Sequence, residues 1–301
     1  MSRWPDFFIV GAPKAGTTAM YELLRRSNGI CMSSVKEPRF FNTAIDHSVF
    51  MSGSVTDEAA YLELFRDCDP SAILGEASPS YLIDPYAPSR IFERSPHAKI
   101  IVMVRDPVAR AYSHYRFHET RTGRASRTFD EAITACEMEL DREFYHPNSV
   151  LQTGLYSRQI RRFQDTFGPA QVKVVVYDDF IGNPARVAGE VCDFAGAPQP
   201  SVVSLDDGQR NAAAVPRNAC AAAIMSNRFA RSIVRRAGLG AVAVRFATRH
   251  LVKAQESPAM LASSRKRLEA IYSEDTAQLE LLLGRSVPWT SDAQPGDCSA
   301  A

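Results

Sequence analysis

The feature that most constrains the fold lies near the start of the chain, where an apolar run, a glycine-containing loop and a helical pattern follow one another. Residues 6–10 are apolar and aromatic, and residues 17–26 carry their apolar side chains on one helical face. The loop between them reads GAPKAGTT at 11–18. This order predicts a strand, a tight loop and a helix, which is the context that a phosphate-binding loop requires.

Strand and helix patterns continue to alternate along the chain. β-Branched runs without polar alternation are typical of strands buried on both faces of a parallel sheet, and they predict strands at 72–74, 99–104 and 172–177. Apolar residues at helical spacing predict helices at about 57–67, 86–95, 107–120, 129–142, 150–167 and 258–283. We therefore expect an α/β fold: a P-loop-like, mostly parallel β-sheet flanked by helices, with a helical C-terminal extension.

Length and composition favour one folded unit. The 301 residues are 45% hydrophobic and 23% charged, so we expect a single domain over 1–290 and a disordered tail over 291–301. No apolar run approaches the ~18 residues of a membrane span, which predicts a cytoplasmic protein. Six cysteines are scattered without metal-ligand spacing. We expect them to be reduced, mostly buried thiols.

The formal net charge of +1 hides a basic stretch. Nine Lys or Arg and no Asp or Glu lie between residues 210 and 253. Such a stretch indicates an anionic partner, which could be a membrane surface, a phosphorylated or sulfated small molecule, or nucleic acid. We expect no nucleic acid, because no recognised module accompanies the charge. Helical spacing over about 217–256, with a basic stripe at Arg245, Arg249 and Lys253, predicts a lid, a peripheral membrane contact or a solvated face.

The loop at 11–18 suits an anion, because small residues let backbone N–H groups converge and the helix N-terminus adds partial positive charge. Its lysine, Lys14, stands two places before the second glycine, unlike the Walker order. The strand at 99–104 ends in Arg105, where a magnesium-dependent P-loop protein would carry an acidic residue. Arg105 and Ser113, two turns along the next helix, predict a second anion site. Alternatively, the loop is an ordinary turn and Arg105 pairs with Asp106.

Several segments together resemble the sulfotransferases that use 3′-phosphoadenosine 5′-phosphosulfate (PAPS), on the branch shared by bacterial sulfotransferases and the heparan sulfate N- and 3-O-sulfotransferases. They are PKAGTT at 13–18, KEPRFF at 36–41, GEASPSY at 75–81, RDPVARAYSHY at 105–115 and the stretch 154–184. The resemblance covers roughly the first 200 residues. It implies metal-independent transfer of a sulfuryl group from PAPS to a hydroxyl, or less favourably an amine, of a small molecule, glycolipid or carbohydrate.

The resemblance also implies roles for individual residues. Glu37 would be the catalytic base, and Lys14 would act on the leaving phosphate. The 5′-phosphosulfate would be held by the loop residues Lys14, Ala15, Gly16, Thr17 and Thr18. The 3′-phosphate would be held by Arg105 and Ser113. Further cofactor contacts are expected from residues in the place of the family's K-G-R segment: Arg210, Asn211 and Arg217.

Other interpretations remain open at the level of sequence. Glu37 could be a loop carboxylate paired with Lys36 or Arg39. The branch carries a Lys where this chain has Ala77, and Lys36 or Arg39 could supply that charge instead. A P-loop small-molecule kinase is one alternative for the whole chain. A non-catalytic peripheral membrane or scaffold protein that uses the basic stretch is another.

Overall fold

The structure is a computed structural model, and it describes residues 3–42, 54–122, 128–138, 140, 149–199, 214–216, 252–254 and 259–290. Five parallel strands form one sheet in the order β2-β3-β1-β4-β5. Their bounds are β1 Phe7–Gly11, β2 Ile30–Met32, β3 Ile73–Ala77, β4 Lys99–Val104 and β5 Val172–Val176. β1 is central and wholly buried, which explains why its side chains are apolar without alternation.

Helices cover both faces of this sheet. They are α1 Thr17–Leu24, α2 Glu58–Leu62, α3 Ala87–Arg94, α4 Pro107–Thr122, α5 Phe129–Glu137, α6 Tyr156–Phe167, α7 Tyr177–Gly182, α8 Pro184–Ala195 and α9 Ala262–Leu283. Pro107 and Pro184 start their helices, where the missing N–H costs nothing. Thr128 and Glu131 form a capping box at the start of α5. Local sequence therefore fixes these boundaries.

The predicted fold class is confirmed, and most predicted elements are present with shifted ends. The helix predicted at 57–67 is α2 followed by the 3-10 turn Glu63–Phe65, and the helix predicted at 150–167 begins only at Tyr156. β3 extends beyond the predicted 72–74 to Ala77. The three-residue edge strand β2 was not predicted, because so short a run shows no periodicity.

The expectation of reduced thiols is wrong for two cysteines. Cys31 in β2 and Cys68 form a disulfide with a Cα–Cα distance of 5.8 Å. They are 37 positions apart in the sequence, but the fold brings the edge strand β2 beside the segment after the Glu63–Phe65 turn. Cys136 and Cys192 are free thiols.

The basic stretch is described only in part. Residues 214–216 form β6 and residues 252–254 form β7, and the two strands pair antiparallel. Lys253 therefore lies in a strand opposite Val215, and its predicted place on a helical stripe is wrong, because residues 252–254 form backbone pairs with residues 214–216. Arg245, Arg249, the rest of the predicted helical segment and the predicted tail 291–301 lie outside the described residues. Within the described parts of the chain, no helix has the length and hydropathy needed to cross a membrane.

Candidate active site

The carboxyl ends of the parallel strands bring four separate chain segments to one edge of the sheet. β1 runs into the loop 12–16, β3 into Ser78, β4 into Arg105 and β5 into Tyr177. Ligands of open α/β sheets bind at this edge, outside the carboxyl ends of the strands. The edge is therefore the expected place of the site.

The loop after β1 has the backbone of an anion cradle. Gly16 caps α1 with φ 88°, and a Cβ there would lie 2.8 Å from Cδ2 of Tyr177, so only glycine fits. The first turn of α1 holds no acidic residue, which leaves its partial positive charge uncompensated. Ala15 and Thr17 are buried and Thr18 is exposed.

Lys14 projects into this edge with a strained backbone, φ 70°. Its Nζ lies 4.4 Å from the centroid of the Phe117 ring on α4. Burial and then the charge of Arg105 lower the pKa of Lys14, while the charge of Glu37 opposes them. The charges of Lys14, Arg105 and Glu37 thus act on one another at this edge. An anion bound beside the loop would favour the charged form of Lys14.

Arg105 is fixed by three contacts. Its Nη1 donates to the carbonyl oxygen of Lys14 at 3.4 Å, and its guanidinium carbon lies 4.7 Å from the centroid of the Tyr177 ring. The Tyr156 hydroxyl donates to the Arg105 carbonyl oxygen at 3.0 Å. Arg105 therefore belongs to the same site as the loop, and its guanidinium is held by stacking and by a backbone carbonyl.

Arg105 and Asp106, which directly precede α4, make different contacts. The Asp106 carboxylate accepts a hydrogen bond from the backbone N of Val108 at 2.9 Å and so caps the helix. Ser113 is half-buried on α4, one turn before Phe117, and residues four apart share a face. Because Phe117 lies against Lys14, the face of α4 that carries Ser113 is turned toward the loop.

Glu37 is held by two cations. Lys36 Nζ lies 2.5 Å from its Oε1 and Arg39 Nη2 lies 2.6 Å from its Oε2. Burial alone would raise the pKa of Glu37, but the charges and hydrogen bonds of Lys36 and then Arg39 hold it below its ordinary value. The ion-pair interpretation is thus correct as geometry. These ion pairs still allow Glu37 to accept a proton, because each carboxylate oxygen keeps a second lone pair and the side chain is 32% exposed.

The Glu37 loop is attached to the strand end that carries Ala77. The backbone N of Glu37 donates to the carbonyl oxygen of Ala77 at 3.0 Å, and the backbone N of Arg39 donates to Oγ of Ser78 at 3.1 Å. These bonds attach the loop to the end of β3. That Lys36 or Arg39 supplies the charge of the lysine expected at position 77 remains a prediction.

Two other titratable residues in the matched segments are enclosed. Glu76 has no exposed surface and His114 is 4% exposed. His114 Nδ1 lies 3.2 Å from Nη1 of Arg110, and arginine can only donate, so Nδ1 is the acceptor of a neutral ring. Of these three side chains, only Glu37 reaches the solvent side of the edge.

Three predicted residues are not described by the structure, and two contacts at the site were not predicted. Arg210, Asn211 and Arg217 lie outside the described residues. Tyr177 and Phe117, which contact Arg105 and Lys14, were not singled out. Tyr177 could have been predicted as a site residue, because it ends a predicted strand and the carboxyl ends of parallel strands share this edge. In the part of the chain that is described, no group of three His, Cys, Asp or Glu could hold a metal ion.

Comparison with known proteins agrees with this geometry. The model of the sulfotransferase domain matches residues 4–212. Human heparan sulfate glucosamine 3-O-sulfotransferase 3B1 is 31% identical over 199 residues, which cover 64% of this chain and 46% of that protein. Mouse carbohydrate sulfotransferase 15 is 26% identical over 243 residues, covering 63% of this chain and 43% of that protein. The chain thus spans about half the length of the curated relatives it matches.

A solved structure extends the comparison to nearly the whole fold. The sulfotransferase from Alicyclobacillus acidocaldarius superposes with a TM-score of 0.68 at 28% identity, covering 94% of this chain and 97% of that one. Its fold is the P-loop-like parallel sheet described above. With the family model covering residues 4–212, this chain belongs to the sulfotransferase family.

Proposed function

We propose that this chain transfers a sulfuryl group from PAPS to a hydroxyl group of a carbohydrate, glycolipid or small molecule. The observation that carries the proposal is the meeting of three elements at one sheet edge. The Lys14 loop and Arg105 are in direct contact, and Glu37 lies close enough for its charge to act on Lys14. Two separate cationic places suit a donor that carries phosphate at both ends of one nucleoside.

In this proposal the loop amides, Lys14, Thr17 and Thr18 bind the 5′ end of the donor. As the sulfuryl group departs, negative charge builds on the phosphate that remains, and the Lys14 ammonium stabilises that charge. The partly buried setting of Lys14 strengthens this interaction, because little solvent screens it. Arg105 and Ser113 bind the 3′-phosphate and orient the donor.

Glu37 accepts the proton of the attacking hydroxyl. A hydroxyl is a poor nucleophile until its proton is removed as the new bond forms, and a carboxylate within hydrogen-bond reach can remove it. The two cations keep Glu37 ionised, so the base is ready at neutral pH. Glu37 acts on the acceptor, while Lys14 acts on the donor.

The acceptor class is proposed from the relatives named above, which are sulfotransferases of heparan sulfate and other carbohydrates. An amine acceptor is the less favoured alternative. PAPS as the donor is supported by family membership. Metal independence remains a prediction.

Location and membrane contact also remain predictions. The cytoplasmic location expected from the sequence is opposed by the disulfide between Cys31 and Cys68, because such bonds persist mainly in oxidising compartments. Contact of the basic stretch with an anionic membrane would appear as sedimentation of the protein with anionic but not with neutral vesicles.

One binding experiment separates this proposal from a kinase and from a non-catalytic scaffold. Adenosine 3′,5′-bisphosphate is titrated into the protein in excess EDTA and followed by calorimetry. The proposal predicts saturable binding that added magnesium does not strengthen. Magnesium-dependent binding of ATP with no binding of the bisphosphate would favour a kinase, and binding of neither nucleotide would favour the scaffold.

A further inference from the structure

Beneath the Glu37 loop lies a carboxyl group that the proposed reaction does not use. Glu76, at the carboxyl end of β3, has no exposed surface, and its neighbour in the sheet is Phe8 of β1. Among the described residues, no Lys or Arg forms an ion pair with it. An ionised carboxylate in such a place would be a buried charge without a cation, which is costly.

Among the described residues, Glu76 is held by hydroxyl groups and not by cations. The hydroxyls of Tyr61 and Tyr81 both donate to Oε2, each at 2.9 Å. The other oxygen, Oε1, is buried and accepts no hydrogen bond of normal geometry from the described residues. Hydroxyl donors favour the charged form of a carboxyl group, so it is burial without a cation that favours the protonated form here.

The two tyrosines connect Glu76 to the loop above it. The Tyr61 ring stacks on Phe40 with centroids 4.5 Å apart. The Tyr81 hydroxyl, besides donating to Glu76, accepts a hydrogen bond from the backbone N of Phe41 at 3.3 Å. Phe40 and Phe41 directly follow Arg39, so the orientation of these tyrosines bears on the segment that positions Glu37.

We propose that Glu76 is a positioning residue that works as an uncharged carboxylic acid, holding Tyr61 and Tyr81 beneath the loop that carries Glu37. The catalytic part of this statement rests on the proposed function, because it assumes that Glu37 is the base. Loss of the Glu76 proton places a second negative charge close to Glu37 and disturbs the loop. The ionised enzyme is therefore slower.

Titratable and polar groups face Glu76 from three elements. They are Tyr61 from α2, Tyr81 and Ser78 from the segment after β3, and Glu37 with its cations Lys36 and Arg39 from the loop. Burial raises the pKa of Glu76 to about 7, with a smaller contribution from the charge of Glu37, while the three hydroxyls oppose the shift. The group thus changes charge within the range in which enzymes are assayed.

The test compares wild type with Glu76→Gln. Glutamine keeps a carbonyl oxygen for both tyrosines and stays uncharged at every pH. With a pKa of about 7, only about 3% of wild-type molecules keep the proton at pH 8.5. The ratio of wild-type to variant kcat should therefore fall by up to about thirtyfold between pH 5.5 and 8.5, the full fall corresponding to an inactive ionised form, with kcat nearly equal at the lower pH. Titration of Lys14 affects both proteins and cancels in the ratio.

Melting temperature gives a readout that needs neither donor nor acceptor. Wild type and Glu76→Gln should melt together near pH 4, and wild type should melt progressively lower as the pH rises from about 4.5 to about 7, with a constant difference from there to pH 8.5. Glu63→Gln, on an exposed side chain, is the matched control. Absence of any sulfuryl transfer alongside this melting pattern would count against the proposed function and would leave the uncharged state of Glu76 standing.

Two results would overturn the inference. One is parallel melting of wild type and Glu76→Gln across this pH range. The other is a variant whose kcat is already at least tenfold reduced at pH 5.5, since a required carboxylate cannot be replaced by an amide. If Glu76→Gln does not fold, Tyr81→Phe serves instead. Tyr81→Phe removes a hydroxyl that favours the charged form of Glu76, so the pH at which the melting temperature stops falling should be higher than in wild type. An unchanged pH would equally reject the assignment.

Discussion

Replacing Arg39 with alanine removes one of the two cations that hold Glu37. The lost contact is a 2.6 Å hydrogen bond between opposite charges, with side chains 21% and 32% exposed, so solvent screens it only in part. A charge-assisted hydrogen bond of this kind contributes roughly 1.5–3 kcal/mol. At about 1.4 kcal/mol for each pH unit, the pKa of Glu37 should rise by about one to two units.

The assay is the pH dependence of kcat/KM between pH 4 and 8. Glu37 must be ionised to accept a proton, so its pKa sets the acid limb, and that limb should move upward by one to two units in Arg39→Ala. The pairing contributes stability that is present above the ordinary glutamate pKa and is lost as pH falls through the lowered value. The stability difference between wild type and Arg39→Ala should accordingly shrink as the pH falls below the ordinary glutamate pKa and through the lowered pKa of Glu37.

Arg66→Ala, which breaks the exposed pair between Arg66 and Glu63, is the matched control and should leave the acid limb in place. An acid limb that is identical in wild type and Arg39→Ala would refute the reasoning, because the titrating base would then not be the carboxylate that Arg39 holds.

Three further changes test other parts of the structure. Arg105→Ala should weaken binding of adenosine 3′,5′-bisphosphate by roughly 1.5–3 kcal/mol and leave AMP binding nearly unchanged, and equal losses in calorimetry would make Arg105 a structural residue. Lys14→Ala should weaken bisphosphate binding and also slow transfer, whereas a change in only one of the two would show that the donor is held differently. Cys31→Ser opens a disulfide of sequence separation 37 and should lower the free energy of unfolding by about 3–4 kcal/mol in a denaturant titration, with Cys136→Ser as the control.

The sequence was sufficient for the elements with strong local signals. The first strand, its loop and α1 follow from an apolar run, two glycines and a helical pattern, and β4 and β5 follow from unbroken β-branched runs. Arg105 could be placed at the site because a parallel sheet collects strand ends at one edge. Helix ends were less well predicted, since the 3-10 turns at Glu63–Phe65 and Gln152–Gly154 carry the same apolar spacing as a helix.

What the sequence could not provide are contacts between distant segments. The disulfide needs β2 and Cys68 side by side, and no spacing rule joins cysteines 37 positions apart. The uncharged surroundings of Glu76 come from tyrosines on two separate elements, α2 and the turn after β3. A glutamate within a strand pattern gives no hint of its protonation, because that depends on burial and on neighbours which only the fold assembles.

The central claim is that this chain moves a sulfuryl group from PAPS with Glu37 as the base. The most direct measurement incubates the protein with ³⁵S-labelled PAPS in EDTA and a panel of oligosaccharide, glycolipid, small hydroxyl and amine acceptors, comparing wild type with Glu37→Gln. The account predicts transfer of label to a hydroxyl acceptor by wild type. It predicts a rate about a hundred to ten thousand times lower for Glu37→Gln, whose affinity for adenosine 3′,5′-bisphosphate should be unchanged. Equal rates for the two proteins, or label transfer that requires magnesium, would contradict it.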